Sequence, residues 1–187
     1  MLNRHPDKRS RLVDAAVRLV HEQGFARTTL ADIAAAAGVP LGNVYYYFKT
    51  KEAIGEALVA QHAGRYATLR GQWNQSGDAR SRLAAFVQMT ADNRAALARS
   101  GCPVGTLCAE LHKAGGPLAE QTGAIFTELL GWLEEQFRAL GRDADAADLA
   151  LHLLSALQGV SLIAHSLDDP AYVDRETTRL IGWIRTL

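Results

Sequence analysis

Two groups of residues in this chain could do chemistry. The first is an aromatic and basic tip: Tyr45, Tyr46 and Tyr47 in a row, then Phe48, with Lys49 and Lys51 just beyond. Phenol hydroxyls and ammonium groups set this way can bond phosphate oxygens and base edges. The second is a pair of thiols in the stretch Cys102–Pro103–Val104–Gly105–Thr106–Leu107–Cys108. Cys102 stands at a predicted helix start, where the dipole favours thiolate and suits a sensor of electrophiles or oxidants. The alternative is that both thiols merely pack as small apolar groups. Six helical residues place them on different faces, so a disulfide between them needs local unwinding. Cys108 and His112 share a face, but with Cys102 they match no familiar zinc spacing, and no metal site is expected. There is no Gly-rich phosphate loop, no nucleophile elbow and no paired-carboxylate motif. An enzyme is therefore not expected, nor a cofactor.

The elements around the tyrosines must hold them outward. Residues 28–51, TTLADIAAAAGVPLGNVYYYFKTK, read as a helix, a glycine turn and a second short helix. That is the pattern of a helix-turn-helix whose second member enters the major groove. Ala34 and Ala37 supply small contacts, Gly38 the turn, and Ile33, Val39 and Val44 the apolar pegs. Thr29 with Asp32 makes a capping box. Pro40 suits a first helical turn, and Thr50 caps the next helix, with Glu52 in its first turn. Tyr46 should be the most exposed of the three tyrosines. Tyr45 should pack its ring and present its hydroxyl, while Tyr47 either packs or meets phosphate. Lys49 and Lys51 are placed for phosphate. Thr28 and Thr29 are caps, or lie at a helix start that can hold a phosphate.

This segment resembles the DNA-binding domain of the TetR family of bacterial transcriptional regulators. The resemblance runs through Phe25, Thr28–Thr29, Ile33–Ala34, Ala37–Gly38–Val39 and the run from Gly42 to Lys51. It implies an all-α fold, with a three-helix DNA-binding head in residues 1–51 and a helical ligand-binding and dimerisation body in 52–187. It also implies a homodimeric repressor that binds a palindromic operator in double-stranded DNA and is released by a small-molecule inducer. The groove-facing role carries over to Gly42, Asn43, Tyr45 and Tyr46. It does not carry over to Pro40 and Leu41, where the family often has a hydroxyl and a polar or basic residue. Leu41 could instead touch a thymine methyl.

Charge agrees with a DNA-facing end. Residues 1–51 hold eight Lys and Arg against four Asp and Glu, while the whole chain is neutral. Attraction to phosphate is then local and weakens as salt rises. Arg4, Lys8, Arg9 and Arg11 cluster near helix 1 and could reach adjacent backbone. The first ten residues show no secretory pattern, and the apolar stretch 149–164 is broken by His152, Ser155, Gln158 and Ser161. The cytoplasm is expected, with no membrane partner.

The periodicity predicts about nine helices: 7–23, 29–37, 40–48, 50–73, 78–99, 103–113, 117–140, 145–166 and 170–186. The 145–166 helix is apolar nearly all round, so both its sides need cover. It and the last helix are expected to pair with their copies as a four-helix bundle about a two-fold axis. Helices between Leu58 and Gly159 should enclose a mostly apolar pocket with a few hydrogen-bonding groups. Candidates for its wall are His62, Tyr66, Phe86, Met89, Asn93, Cys102, Phe126, Trp132, His152 and Gln158.

Overall fold

Local signals at helix ends decide where this chain turns. A computed structural model describes residues 7–187. Arg4, expected near phosphate, lies outside the described residues. Asp7 caps α1 (Lys8–Gln23) by accepting the Ser10 amide at 2.7 Å. Thr29 caps α2 (Leu30–Ala37) through the expected capping box: its hydroxyl accepts the Asp32 amide, and Asp32 accepts the Thr29 amide. Hydrogen bonds from the Thr29 hydroxyl, then its amide, hold the Asp32 carboxyl below its usual range. Gly38 ends α2 in the left-handed region at φ 62°, which a β-carbon would strain. Pro40 precedes α3 (Leu41–Tyr47) without any side-chain cap. Thr50 caps α4 (Lys51–Trp73) by accepting the Ala53 amide.

The body continues with α5 (Ala79–Asp92), α6 (Arg94–Ser100), α7 (Pro103–Ala114), α8 (Pro117–Ala139), α9 (Ala146–Leu167) and α10 (Ala171–Thr186). All regular structure among the described residues is helical, and there are ten helices. The extra one comes from a break in the expected 78–99 helix. The Asn93 carboxamide donates to the Met89 carbonyl at 2.6 Å and its backbone leaves helical geometry at ψ 7°. A side chain that competes for a backbone carbonyl opens the helix there. At the start of α10, Asp169 accepts the Ala171 amide at 2.9 Å across Pro170.

One apolar core runs from Leu12 on α1 to Ile184 on α10. In the head, Leu12, Val13, Ala16, Ile33, Val39, Val44 and Phe48 are buried together. In the body, α8 and α9 pack along each other, α10 covers α5 and α9, and α4 lies on α8. Trp73, Phe86 and Trp132 form one aromatic cluster with ring centres 5.2 to 6.1 Å apart. α9 is long and apolar enough, by length and composition, to cross a bilayer. In this fold its inner side packs against α8, α6 and α10.

Candidate functional site

Two sites share this scaffold. The first is the tip of α3. Val44 is fully buried and anchors the helix, and Phe48 closes its base under the Arg9 guanidinium at 5.3 Å. With that side inward, Leu41, Tyr45, Tyr46 and Tyr47 face out. Tyr46 is 79% exposed, the most of the four, as expected from sequence. Its ring meets that of Tyr47 edge-on at 5.0 Å, which stiffens both. Gly42 is exposed with open space where a β-carbon would stand, and Asn43 is half-buried beside it. Lys49 is exposed just past the helix end.

Two expected contacts are placed elsewhere. Thr28 has no exposed surface: its hydroxyl donates to the Gly24 carbonyl at 2.8 Å and accepts from Gln23. It closes the α1–α2 loop from within, so its side chain does not face phosphate. Lys51 is also engaged inside the head. Its ammonium donates to the Ala26 carbonyl at 2.9 Å and lies 4.7 Å from the centre of the Phe25 ring. Thr29 stays exposed, but its hydroxyl is held by Asp32 at 2.6 Å.

The second site is a cavity of about 310 Å³ between α1, α4, α5, α6, α7, α8 and α9. The structure brings together seven of the expected residues on its wall: His62, Tyr66, Phe86, Met89, Asn93, Cys102 and Gln158. Three do not reach it. Trp132 turns into the aromatic cluster and donates its indole N–H to Asn74 Oδ1 at 2.8 Å. His152 is exposed on α9 against the Trp183 ring. Phe126 is half-buried and packs on the core outside the cavity wall. Helical spacing alone does not say which side of a long helix faces the space.

Sequence reasoning missed the contribution of α1. Val17, Arg18 and His21 line the cavity although they belong to the head. Val17 and His21 are four residues apart and so share a helical face, a second stripe beside the core stripe of Leu12, Ala16 and Val20. His21 is fixed there by Nε2, which meets the Gly101 carbonyl at 2.9 Å. Arg65, one residue before Tyr66, was also missed.

Burial is the main cause that lowers His62, to about 4, and the nearby charges of Arg65 and His21 add to it. His62 is therefore neutral at pH 7. Burial pushes the Tyr66 hydroxyl up, with Cys102 adding and Arg65 opposing, so it remains a neutral donor. Cys102 is 9% exposed and precedes α7, where its sulfur accepts the Gly105 amide at 3.4 Å. Burial raises the Cys108 thiol, with a hydrogen bond with Thr122 opposing. Both cysteines are free. Among the described residues no group of three His, Cys, Asp or Glu is placed to hold a metal ion.

A single carboxylate ties the two sites. Glu110, near the end of α7, accepts the amides of Phe25 at 2.7 Å and Ala26 at 2.6 Å in the α1–α2 loop. The loop comes this close because residue 24 is glycine, at φ 88°, and even its missing β-carbon would lie 3.2 Å from Glu110 Oε2. The other end of α7 begins at Cys102 on the cavity wall.

A tyrosine-rich tip on a helical head, joined to a hollow helical body, defines the class to which the comparisons point. The model for bacterial regulatory proteins of the tetR family matches residues 12–58. The model for the C-terminal domain of LmrA/YxaF-like transcriptional regulators matches residues 79–176, about half of the chain. The chain belongs to the TetR family of transcriptional regulators. The HTH-type transcriptional repressor NemR of Escherichia coli (strain K12) is 33% identical over 93 residues, 48% of this chain and 47% of that protein. The chain spans about half the length of the curated relatives it matches first. A TetR transcriptional regulator from Legionella pneumophila has the same fold, with a TM-score of 0.83 at 18% identity over 96% of this chain and 98% of that one. Escherichia coli NemR in its reduced form gives 0.79 at 24% identity, over 95% and 97%.

Two outcomes follow from this geometry. Replacing Glu110 with Gln keeps one acceptor and removes the charge. Amide exchange at Phe25 and Ala26 should then speed by roughly tenfold or more while the helical signal is unchanged. Unchanged exchange at those two amides would show that the carboxylate does not hold the loop. The second outcome concerns His62, whose folded value of about 4 lies below the ordinary 6.5. The unfolded chain binds the proton more readily, so stability is fully present above pH 6.5 and falls as pH drops towards 4, by roughly 3 kcal/mol at most. Urea denaturation at pH 7 and pH 4.5 should show this slope, and His62→Gln should flatten it.

Proposed function

We propose that this protein is a ligand-responsive repressor. Two copies read a palindromic operator with their α3 tips and let go when a small molecule fills the cavity. The observation that carries this reading is that α1 serves both sites: it packs on α2 and α4 in the head, and it lines the cavity with Val17, Arg18 and His21. A ligand pressing on α1 therefore acts on the head directly. DNA favours one placement of the two heads and ligand another, so each weakens the other reciprocally. The chain divides after Lys51 into a DNA-binding head, 1–51, and a ligand-binding and dimerising body, with α4 running from one to the other.

A second copy is the cover we assign to the outer side of α9. Leu151, Leu162, Ile163 and Leu167 are exposed there, with Leu162 at 66%, and the small residues Ser155 and Gly159 lie between them. Such a stripe fits a two-fold helix pairing, completed by α10. Two α3 tips about 34–36 Å apart would then meet successive major grooves. Tyr45 and Tyr46 are assigned to base edges and sugar-phosphate, with Gly42 and Asn43 allowing close approach and Lys49 on phosphate.

A second reading concerns the trigger. Cys102 faces the cavity with its sulfur already bonded to a helix-start amide. An electrophile or oxidant entering the cavity would meet it first, and resemblance to the repressor NemR, one of whose structures is described as the reduced form, favours such a sensor.

In a gel shift on DNA upstream of its own gene, Tyr46→Ala should lose binding by tenfold or more, as expected for a groove contact. Its circular dichroism and dimer mass should not change. Wild-type affinity in that variant would refute the assignment of α3. Cys102→Ser should bind the same DNA normally but no longer release it on treatment with an α,β-unsaturated carbonyl compound. Release that persists removes Cys102 as the trigger.

A further inference from the structure

The charged residues of the cavity wall are of one sign: Arg18 and Arg65, both with exposed surface, line it beside the His21 and His62 rings, and no Asp or Glu does among the described residues. Arg18 is partly answered by Glu22 at 3.6 Å on the exposed side of α1. Arg65 has no carboxylate within 4.0 Å among the described residues. His62 is only 5% exposed, and its ring makes no hydrogen bond among the described residues, although it fronts the cavity. The Tyr66 hydroxyl is likewise without a partner there. Both groups are open to a ligand in the cavity.

Two of the remaining polar side chains are occupied, and Thr90 and Gln158 make no side-chain hydrogen bond among the described residues. Asn93 donates to the Met89 carbonyl and Ser161 to the Leu157 carbonyl. Phe86, Leu129, Leu154 and Leu157 supply apolar wall from α5, α8 and α9. The cavity thus combines basic and hydrogen-bonding groups from α1 and α4 with apolar side chains from α5, α8 and α9. At ~30 Å³ per water, 310 Å³ holds about ten waters, so the occupant has on the order of ten non-hydrogen atoms.

We propose that the effector is a small organic carboxylate, its charged end among His62, Tyr66 and Arg65 and its apolar body against Phe86, Leu129 and Leu157. This inference rests on reading the cavity as the effector site. An amine in the same place would sit beside His62 and Arg65 with no anion to meet it. A neutral ligand would leave the positive field unanswered. An anion answers it, and it also reverses the sign of the field at His62. The titratable and charged groups facing His62 are Arg65 and Tyr66 on α4, Arg18 and His21 on α1, and Cys102 before α7. None of them is a carboxylate, so the ligand supplies the one negative charge, and His62 takes up a proton as it binds.

The test uses the full chain and three probes of matched length: octanoate, 1-octanol and octylamine. Octanoate should raise the melting temperature and bind measurably by calorimetry, and octylamine should do neither. Arg65→Gln should weaken octanoate about tenfold, as for loss of a charge-assisted bond, whereas Lys113→Gln, an exposed charge outside the cavity, should not. Titrations near pH 6 in two buffers of different ionisation enthalpy should show proton uptake with octanoate, and His62→Gln should abolish it. Equal binding by octanol or octylamine overturns the proposal, as does indifference of octanoate to Arg65→Gln, or no binding by all three at millimolar concentration. The repressor reading is judged separately, by the gel shift without ligand, so the two fail independently.

Discussion

The Glu110 carboxylate joins what would otherwise be two loosely connected parts. A loop between two helices leaves amides that need acceptors, and here Phe25 and Ala26 find theirs on an element 84 and 85 residues away in sequence. Lys51 supplies the complementary donor to the Ala26 carbonyl. The loop is thereby pinned from the body on one side and from the start of α4 on the other. Charge-assisted bonds of this kind are stronger than neutral ones and more exacting in direction. Cys102 and Glu110 stand at the two ends of one short helix, and eight residues of helix span about 12 Å. On the proposed reading, a shift at the cavity end of this stiff helix would be carried to the α1–α2 loop.

α9 divides its two sides between two tasks. Leu154, Leu157, Gln158 and Ser161 face the cavity, and Leu151, Leu162, Ile163 and Leu167 face outward. On the proposed reading the second side meets the partner subunit. A helix with its side chains is about 10 Å across, so only that thickness separates an effector from the interface. His165 steadies the element by bonding the Ala98 carbonyl at the end of α6. Ligand could then act on both the head, through α1, and the angle between subunits, through α9.

The head was legible in the sequence because its signals are local. Thr29 with Asp32, Gly38, Pro40 and the spacing of Ile33, Val39 and Val44 each act within a few residues, and each stands where it was expected. The burial of Thr28 and the inward turn of Lys51 were not legible, because both depend on the α1–α2 loop folding back on itself. The cavity was legible only by composition. Trp132 and His152 have the same chemical qualification as Tyr66 and His62, and only the rotation of α8 and α9 places them elsewhere. Asn93 was read as a wall residue, which it is, but its break in the 78–99 helix follows from a side-chain bond to Met89 that spacing does not announce.

The wall built from Val17, Arg18 and His21 bears on how such proteins can be recombined. On the proposed reading, a chimera that exchanges residues 1–51 for those of a relative would replace the DNA reader and three pieces of the cavity lining in one stroke. It also replaces the amides that Glu110 grips. Operator preference and effector preference would then not be separable at that seam, and a graft meant to preserve the response would keep the cavity-facing stripe of the first helix from the recipient.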